Sequence, residues 1–233
     1  MRLTVALKDA GFAVSCPKPG PDIRVNRADG PVWIEAVAPS SGEGDDAVPN
    51  PPPNTMFNYP EERIILRFRT ALEEKRRRRD EYVAKGVIEK GDPYVVAISG
   101  GRMNTLMDDD DFPAILMAVY PVGPPAFFHN PRTGEGYQGR STRLAVTKAN
   151  GTETNTTCFL DSTYAGVSAV LFSEANFLME ATEGYNSFLL VHNLNARNPL
   201  GGGWLGFGRE CLPVSDADGA TIKIRALDEE GSA

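Results

Sequence analysis

The chain has few of the residues that most often mark a catalytic or zinc site. It contains two histidines and three cysteines in 233 residues. Cys16, Cys158 and Cys211 lie far apart, without the paired spacing of a zinc knuckle or a disulfide framework, so we expect a reducing compartment. The sequence has no Gly-x-Ser-x-Gly motif for a serine nucleophile. Gly201-Gly202-Gly203 lacks the strand–helix context of a phosphate-binding loop.

Long apolar runs and an excess of positive charge are also missing. No apolar run reaches the roughly 18 residues that a transmembrane helix needs, and the N-terminal residues do not resemble a signal peptide. We therefore expect a cytoplasmic protein. Basic side chains number 24 against 31 acidic ones, a formal net charge of −7. This balance disfavours nonspecific coating of nucleic acid but is compatible with a local basic groove.

The hydrophobic pattern predicts one α/β domain over residues 1–233, with a mixed central sheet and flanking helices. We expect helices at 1–14, 61–85 and 112–120, and strands at 23–25, 32–37, 94–99, 166–173, 187–192 and 221–225. Turns and short polar strands are expected at 127–148, a Pro-rich flexible loop at about 40–58, and a loop-rich tail from about 199.

Two acidic side chains on the first predicted hairpin are the strongest candidates for chemistry. Asp22 precedes one strand and Glu35 lies within the next. Adjacent antiparallel strands can bring such side chains to one face, about 5 Å apart at Cβ. Two carboxylates this close repel each other, and a divalent cation bound between them would offset that repulsion. A structural ion pair between Glu35 and an arginine is the alternative.

The helix predicted over 61–85 carries a dense basic run, Lys75-Arg76-Arg77-Arg78-Arg79. At 100° per residue, Lys75 and Arg79 fall within the apolar stripe of this helix, and Arg67 falls at its border. A lysine there either reaches a carboxylate or extends along the surface to water. Arg76 to Arg78 are expected to face solvent, because their acidic neighbours favour a charged surface over a phosphate clamp.

Two further features carry weaker signals. Asp108 to Asp111 are four consecutive acids without the ligand spacing of a calcium loop. They favour a solvated N-terminal cap over a metal site. His192 ends a predicted strand, where a hydrogen bond to a loop is the simpler role and participation in a site is the alternative.

The order of helix, Pro21-Asp22, hairpin, Glu35 and long helix resembles the PD-(D/E)XK nuclease superfamily, which has the restriction-endonuclease-like fold. Weaker likenesses are found at Pro60-Glu61, 95–98, 166–170 and 189–193, which are similar to a set of uncharacterised bacterial proteins with this core. The resemblance implies that Asp22 and Glu35 hold Mg²⁺ or Mn²⁺. It also implies DNA as a partner, with a homodimer as a further possibility.

The sequence departs from the superfamily at two places. The lysine expected two residues after the second acid is Val37, and the glutamate that many members carry on the first helix has no counterpart except Asp9. In several of these nucleases the lysine has moved to the helix after the motif strand, and Lys75 is similar to such a case. We therefore expect Lys75 Nζ within about 4 Å of a Glu35 or Asp22 oxygen, the range of an ion pair.

Taken together, the resemblance implies a divalent-metal-dependent nuclease that hydrolyses DNA, with Asp22, Glu35 and Lys75 as catalytic residues. Arg67 and Arg79 are candidates for phosphate contacts. Two alternatives stay open. One is a catalytically dead module of the same fold that binds nucleic acid or a protein, which Val37 favours. The other is an unrelated α/β enzyme, since a fold does not determine a function.

Overall fold

The computed structural model describes residues 2–103, 112–173, 187–216 and 219–226. Asp108 to Asp111 lie outside the described residues. Within them the chain forms helices α1 (Arg2–Asp9), α2 (Glu61–Ala84) and α3 (Ala114–Val119), and strands β1 (Ala13–Ser15), β2 (Ile23–Asn26), β3 (Val32–Val37), β4 (Tyr94–Ser99), β5 (Val122–His129), β6 (Gly136–Thr142), β7 (Ala145–Thr147), β8 (Glu153–Asn155), β9 (Ala169–Ser173), β10 (Phe188–His192), β11 (Arg209–Asp216) and β12 (Gly219–Ala226). In this part of the chain no helix is both long and apolar enough to cross a membrane.

A mixed sheet of eight strands forms the centre of the molecule, in the order β1-β2-β3-β4-β9-β10-β11-β12. The strands β1, β2 and β3 are antiparallel neighbours, whereas β3, β4 and β9 run parallel. The crossover from β3 to β4 contains α2. The predicted α/β fold with a mixed central sheet and flanking helices is confirmed.

Hydrophobic cores lie on both faces of this sheet. One contains residues of α2 and α3 and includes Phe68, which meets Phe172 edge to face with ring centroids 5.2 Å apart. The other contains residues of α1 together with Ile34. Because successive strand residues point to opposite faces, Trp33 belongs to the α2 core, and Glu35 points to the same side as Trp33. The α2 helix therefore covers Glu35.

The first helix is shorter than predicted. It ends at Asp9 instead of continuing to residue 14, and Gly11 follows with φ of 83°, a conformation that glycine adopts readily. Residues 13–15 form β1, which pairs with β2. Phe12 and Val14 pack on the α1 core, and Val14 does so from β1.

The long helix agrees closely with its prediction. It begins with Glu61, directly after Pro60, and ends at Ala84, just before Gly86 with φ of 68°. The predicted stripe is confirmed, since Ile64, Phe68, Ala71 and Leu72 are buried, and the same face buries Lys75 and Arg79.

Other regions differ more from the expectations. The predicted edge strand at 221–225 is part of β12, which lies at the sheet edge, but β11 was expected to be loop. Residues 38–60 contain no helix or strand, as expected, although Val48 is buried in the α2 core. The short polar strands expected at 127–148 are present as β6 and β7, and β6 pairs with β5 in a two-stranded ribbon separate from the central sheet.

Candidate active site

Asp22 is held next to Glu35 by the end of the β2–β3 pairing. The ladder ends at the pair Ile23 and Ile34. Beyond it, the Ala36 amide N–H donates to Asp22 Oδ2 at 2.8 Å. The Asp22 side chain thus takes the hydrogen bond that a further β2 residue would have made. This contact fixes the Asp22 carboxylate beside the residue that follows Glu35.

Glu35 is 2% exposed and faces two cations from α2. Its Oε1 lies 3.6 Å from Lys75 Nζ and 3.3 Å from Arg78 Nε. The predicted distance between Lys75 and Glu35 is therefore confirmed. Glu35 Oε2 is buried, and no described donor forms a hydrogen bond with it. Tyr94 lies beneath the pair and its hydroxyl donates to the Lys75 carbonyl at 3.2 Å, which fixes α2 against β4.

Arg78 also belongs to the site, and as the i+3 neighbour of Lys75 it lies on the same side of α2. Half of its side chain is exposed, as expected, and its Nε also reaches Glu35, whereas the same expectation is wrong for Arg76, whose side chain is only 16% exposed. Arg78 Nε donates to the Tyr82 hydroxyl at 3.0 Å, and that hydroxyl donates to the Gly20 carbonyl at 3.1 Å. The acidic neighbours of Arg78 suggested a solvated face, whereas its hydrogen bond to Tyr82 holds the guanidinium beside Glu35.

Arg67 and Arg79 make other contacts. Arg67 Nε donates to the Ser40 carbonyl at 3.0 Å, so this side chain supports the loop before α2. Arg79 is buried, its Nη2 donates to the Lys90 carbonyl at 3.3 Å, and its guanidinium packs against Gly166. Both guanidinium groups thus bind the protein's own backbone, and their contact with phosphate stays a prediction.

The charges around Glu35 have opposite effects on the pKa of its carboxyl group. Burial raises the pKa of the Glu35 carboxyl above its ordinary value, and the negative charge of Asp22 raises it further. The positive charges of Arg78 and Lys75 oppose this increase. A folded-state pKa above the unfolded value means that the folded protein binds the extra proton. Glu35 therefore makes its largest contribution to stability below its unfolded pKa, and that contribution is lost as the pH rises towards the folded pKa.

We expect two substitutions to shift the pKa of Glu35 in opposite directions. Asp22→Asn removes a like charge and lowers this pKa, whereas Lys75→Met removes an opposing charge and raises it. The measurement is a pH titration of the Glu35 side-chain carboxyl by ¹³C NMR. If the pKa of Glu35 shifted in the same direction in both variants, or in neither, these groups would not share one electrostatic site.

His192 belongs to a different part of the molecule. It follows Leu190 by two residues and so faces the α1 core, on the opposite side of the sheet from Glu35. Its Nε2 lies 2.6 Å from Oε1 of Glu210, which is fully buried, and both Glu210 oxygens accept the Gly203 amide N–H at 3.0 Å. The His192–Glu210 pair thus holds the 201–207 loop against the sheet. Glu210 lies on β11, a strand that the sequence pattern did not predict.

Comparisons with known proteins identify no relative. No family model matches the chain, and neither a curated protein nor a solved structure matches it. The described residues include no cluster of three or more histidine, cysteine, aspartate or glutamate side chains suited to a metal. The chemistry of the site is therefore inferred from Asp22, Glu35 and the cations around them.

Proposed function

We propose that the chain is a divalent-metal-dependent nuclease that hydrolyses DNA phosphodiester bonds. The observation that carries this proposal is the Lys75 ammonium of α2 3.6 Å from Oε1 of Glu35 in β3, with Asp22, just before β2, bound to the amide that follows Glu35. The path α1-β1-β2-β3-α2-β4, with β3 and β4 parallel, follows the order of elements in which the sequence resembles PD-(D/E)XK nucleases and supports the same proposal.

The two carboxylates suit Mg²⁺ or Mn²⁺. Asp22 is exposed, and the Ala36 amide binds its Oδ2. Glu35 Oε2 is buried without a described hydrogen-bond donor, which is costly for a carboxylate oxygen unless some cation or donor reaches it. In sites that act on phosphates, Mg²⁺ is usually held by one or two carboxylates together with substrate oxygens. When bound, the metal would lower the pKa of a water molecule and polarise the scissile phosphate.

Lys75 places an ammonium where the missing motif lysine would be needed. Val37 follows Glu35 by two residues and packs against the α2 core, so both side chains lie on the face that α2 covers. The Lys75 ammonium reaches this face from α2, whereas the position on β3 that carries the lysine in the superfamily is occupied by the apolar Val37. In the proposed reaction it orients the attacking water and stabilises negative charge as it develops. The half-exposed Arg78 is placed to meet a substrate phosphate.

The charge balance favours a second candidate, a catalytically dead module of the same fold. Asp22 and Glu35 carry two negative charges, and Lys75 and Arg78 carry two positive charges, while Lys75 Nζ also lies 3.4 Å from Oε1 of the exposed Glu74. Such a cluster can form an ion-pair network in which the cations replace a metal. This candidate also accounts for Val37, and it predicts binding of nucleic acid or a protein without hydrolysis.

Metal-dependent cleavage tests the proposal. We expect the purified protein with Mn²⁺ to nick or degrade DNA, and we expect Asp22→Ala and Glu35→Ala each to abolish this activity. Glu81→Ala, which changes an exposed acid on α2, is the matched control and should cleave normally. Cleavage that survives both site substitutions would indicate another site or a contaminant. A lack of cleavage of single- and double-stranded DNA and RNA would favour the dead module.

A further inference from the structure

We propose that the β5–β6 ribbon is a binding arm for single-stranded nucleic acid, whose bases stack on Phe127, Phe128 and Tyr137. This inference goes beyond the proposed function, because it concerns a different surface and requires neither a metal nor the Glu35 cluster. The ribbon forms a two-stranded sheet of its own, separate from the eight-stranded sheet.

The ribbon exposes an unusual amount of aromatic surface. Phe127 is 69% exposed, Tyr137 64% and Phe128 36%. Phe128 and Tyr137 lie together on one face of the hairpin and Phe127 lies on the other, so both faces expose ring surface that could bind a partner.

The rings are arranged as a platform for other planar groups. Phe128 and Tyr137 are directly paired across the two strands, and their rings are stacked, with centroids 5.2 Å apart and planes 16° from parallel. A base on the open side of Tyr137 would extend this stack. Phe127 points to the other face of the ribbon, where its ring lies over Gly136. Each face therefore offers an aromatic ring.

Charge on the ribbon complements a phosphate backbone. Residues 122–142 contain Arg132 and Arg140 against Glu135, which gives 2 − 1 = +1. The whole chain carries −7, so the remainder carries −7 − 1 = −8, and the ribbon differs from it in the sign of its charge. Arg132 is exposed at the turn between the strands. Exposed rings beside cations are the combination that binds single strands without reading their sequence.

Unpaired bases suit this surface better than a duplex does. A two-stranded ribbon fits the major groove, but base pairs in a duplex are already stacked and offer only their edges there. A second copy of the chain, with its acidic remainder, would satisfy the ribbon's charge. Such a charge-based contact between two copies would leave the open face of the Tyr137 ring unused. The stacked pair therefore favours nucleic acid, and self-association becomes an outcome that the experiment distinguishes.

Equilibrium binding of labelled oligonucleotides tests the arm. Fluorescence anisotropy is measured with a 20-nucleotide oligo(dT) and with a 20-base-pair duplex, in EDTA, so that cleavage cannot contribute. We expect the single strand to bind several-fold more tightly than the duplex. A Phe127→Leu/Tyr137→Leu double variant, which keeps apolar bulk but loses the ring faces, should raise the Kd for oligo(dT) by about tenfold or more.

Two further variants complete the test. Arg132→Gln should make the plot of log K against log salt shallower by about 0.7, the value for one phosphate contact on a single strand. Leu160→Ala, which changes an exposed leucine outside the ribbon, should bind like wild type. Circular dichroism checks the fold of the double variant, and Arg132→Gln provides a readout that does not disturb the ring packing.

Several results would overturn the proposal. These are an unchanged salt dependence in Arg132→Gln, an unchanged Kd in a folded double variant, and equal affinity for single strand and duplex. Absence of oligo(dT) binding, together with a dimer in sedimentation that the double variant dissociates, would instead identify the ribbon as a contact with a second copy. Because EDTA is present throughout, binding by the ribbon can succeed or fail independently of cleavage at Glu35.

Discussion

Lys75→Met should leave the protein folded and reduce metal-dependent cleavage by about 10²- to 10⁴-fold, the usual contribution of a positioned acid–base group. The lysine side chain is 9% exposed, so its aliphatic stem is packed, and methionine reproduces most of that stem. What methionine removes is the ammonium 3.6 Å from Glu35 Oε1. Arg78 remains beside the carboxylate, which limits the cost of breaking the pair.

Single-turnover cleavage and thermal unfolding, measured on the same preparation, check this expectation. Lys85→Met is the matched control, since Lys85 is exposed at the C-terminal end of the same helix, and it should cleave and unfold like wild type. Unimpaired cleavage by Lys75→Met would show that the ammonium has no part in the reaction. Loss of the folded state would instead assign Lys75 to a structural ion pair.

Much of the architecture could be predicted from the sequence because its core elements have strong periodicity. The apolar run at 94–99 indicates a strand buried on both faces, and β4 is such a strand. The α2 boundaries follow from Pro60 and Gly86. By contrast, β11 contains Glu210 and Pro213 among its apolar residues, so its pattern resembles a loop. Its place depends on pairing with β10 and β12, which no local signal reveals.

The site was predictable only to the extent that Cβ directions decide it. Alternation along β3 and the phase of α2 place Glu35 and Lys75 towards each other, and the structure has them in contact. Helical phase also puts Arg78 on this side of α2, since it is the i+3 neighbour of Lys75, but whether a half-exposed arginine reaches Glu35 or water depends on its contact with Tyr82. Periodicity does not decide which atoms such a side chain contacts. For the same reason Arg67 and Arg79 lie in the predicted helix face but bind backbone carbonyls.

The central claim is that Asp22 and Glu35 together hold a divalent cation, and calorimetric titration with Mn²⁺ tests it most directly. We expect one Mn²⁺ per chain in the wild type. Asp22→Asn and Glu35→Gln should each weaken binding by more than about tenfold, since even indirect supports of metal ligands contribute 10- to 100-fold. Glu81→Gln, an exposed acid on α2, should bind like wild type.

Lys75→Met separates metal binding from catalysis in the same titration. Removing a cation 3.6 Å from a ligand carboxylate reduces repulsion of the metal, so this variant should bind Mn²⁺ at least as tightly as wild type while cleaving poorly. The account predicts this pattern: binding lost with either carboxylate and retained without the ammonium. Undetectable Mn²⁺ binding by the wild type, or binding that Asp22→Asn and Glu35→Gln leave unchanged, would contradict it.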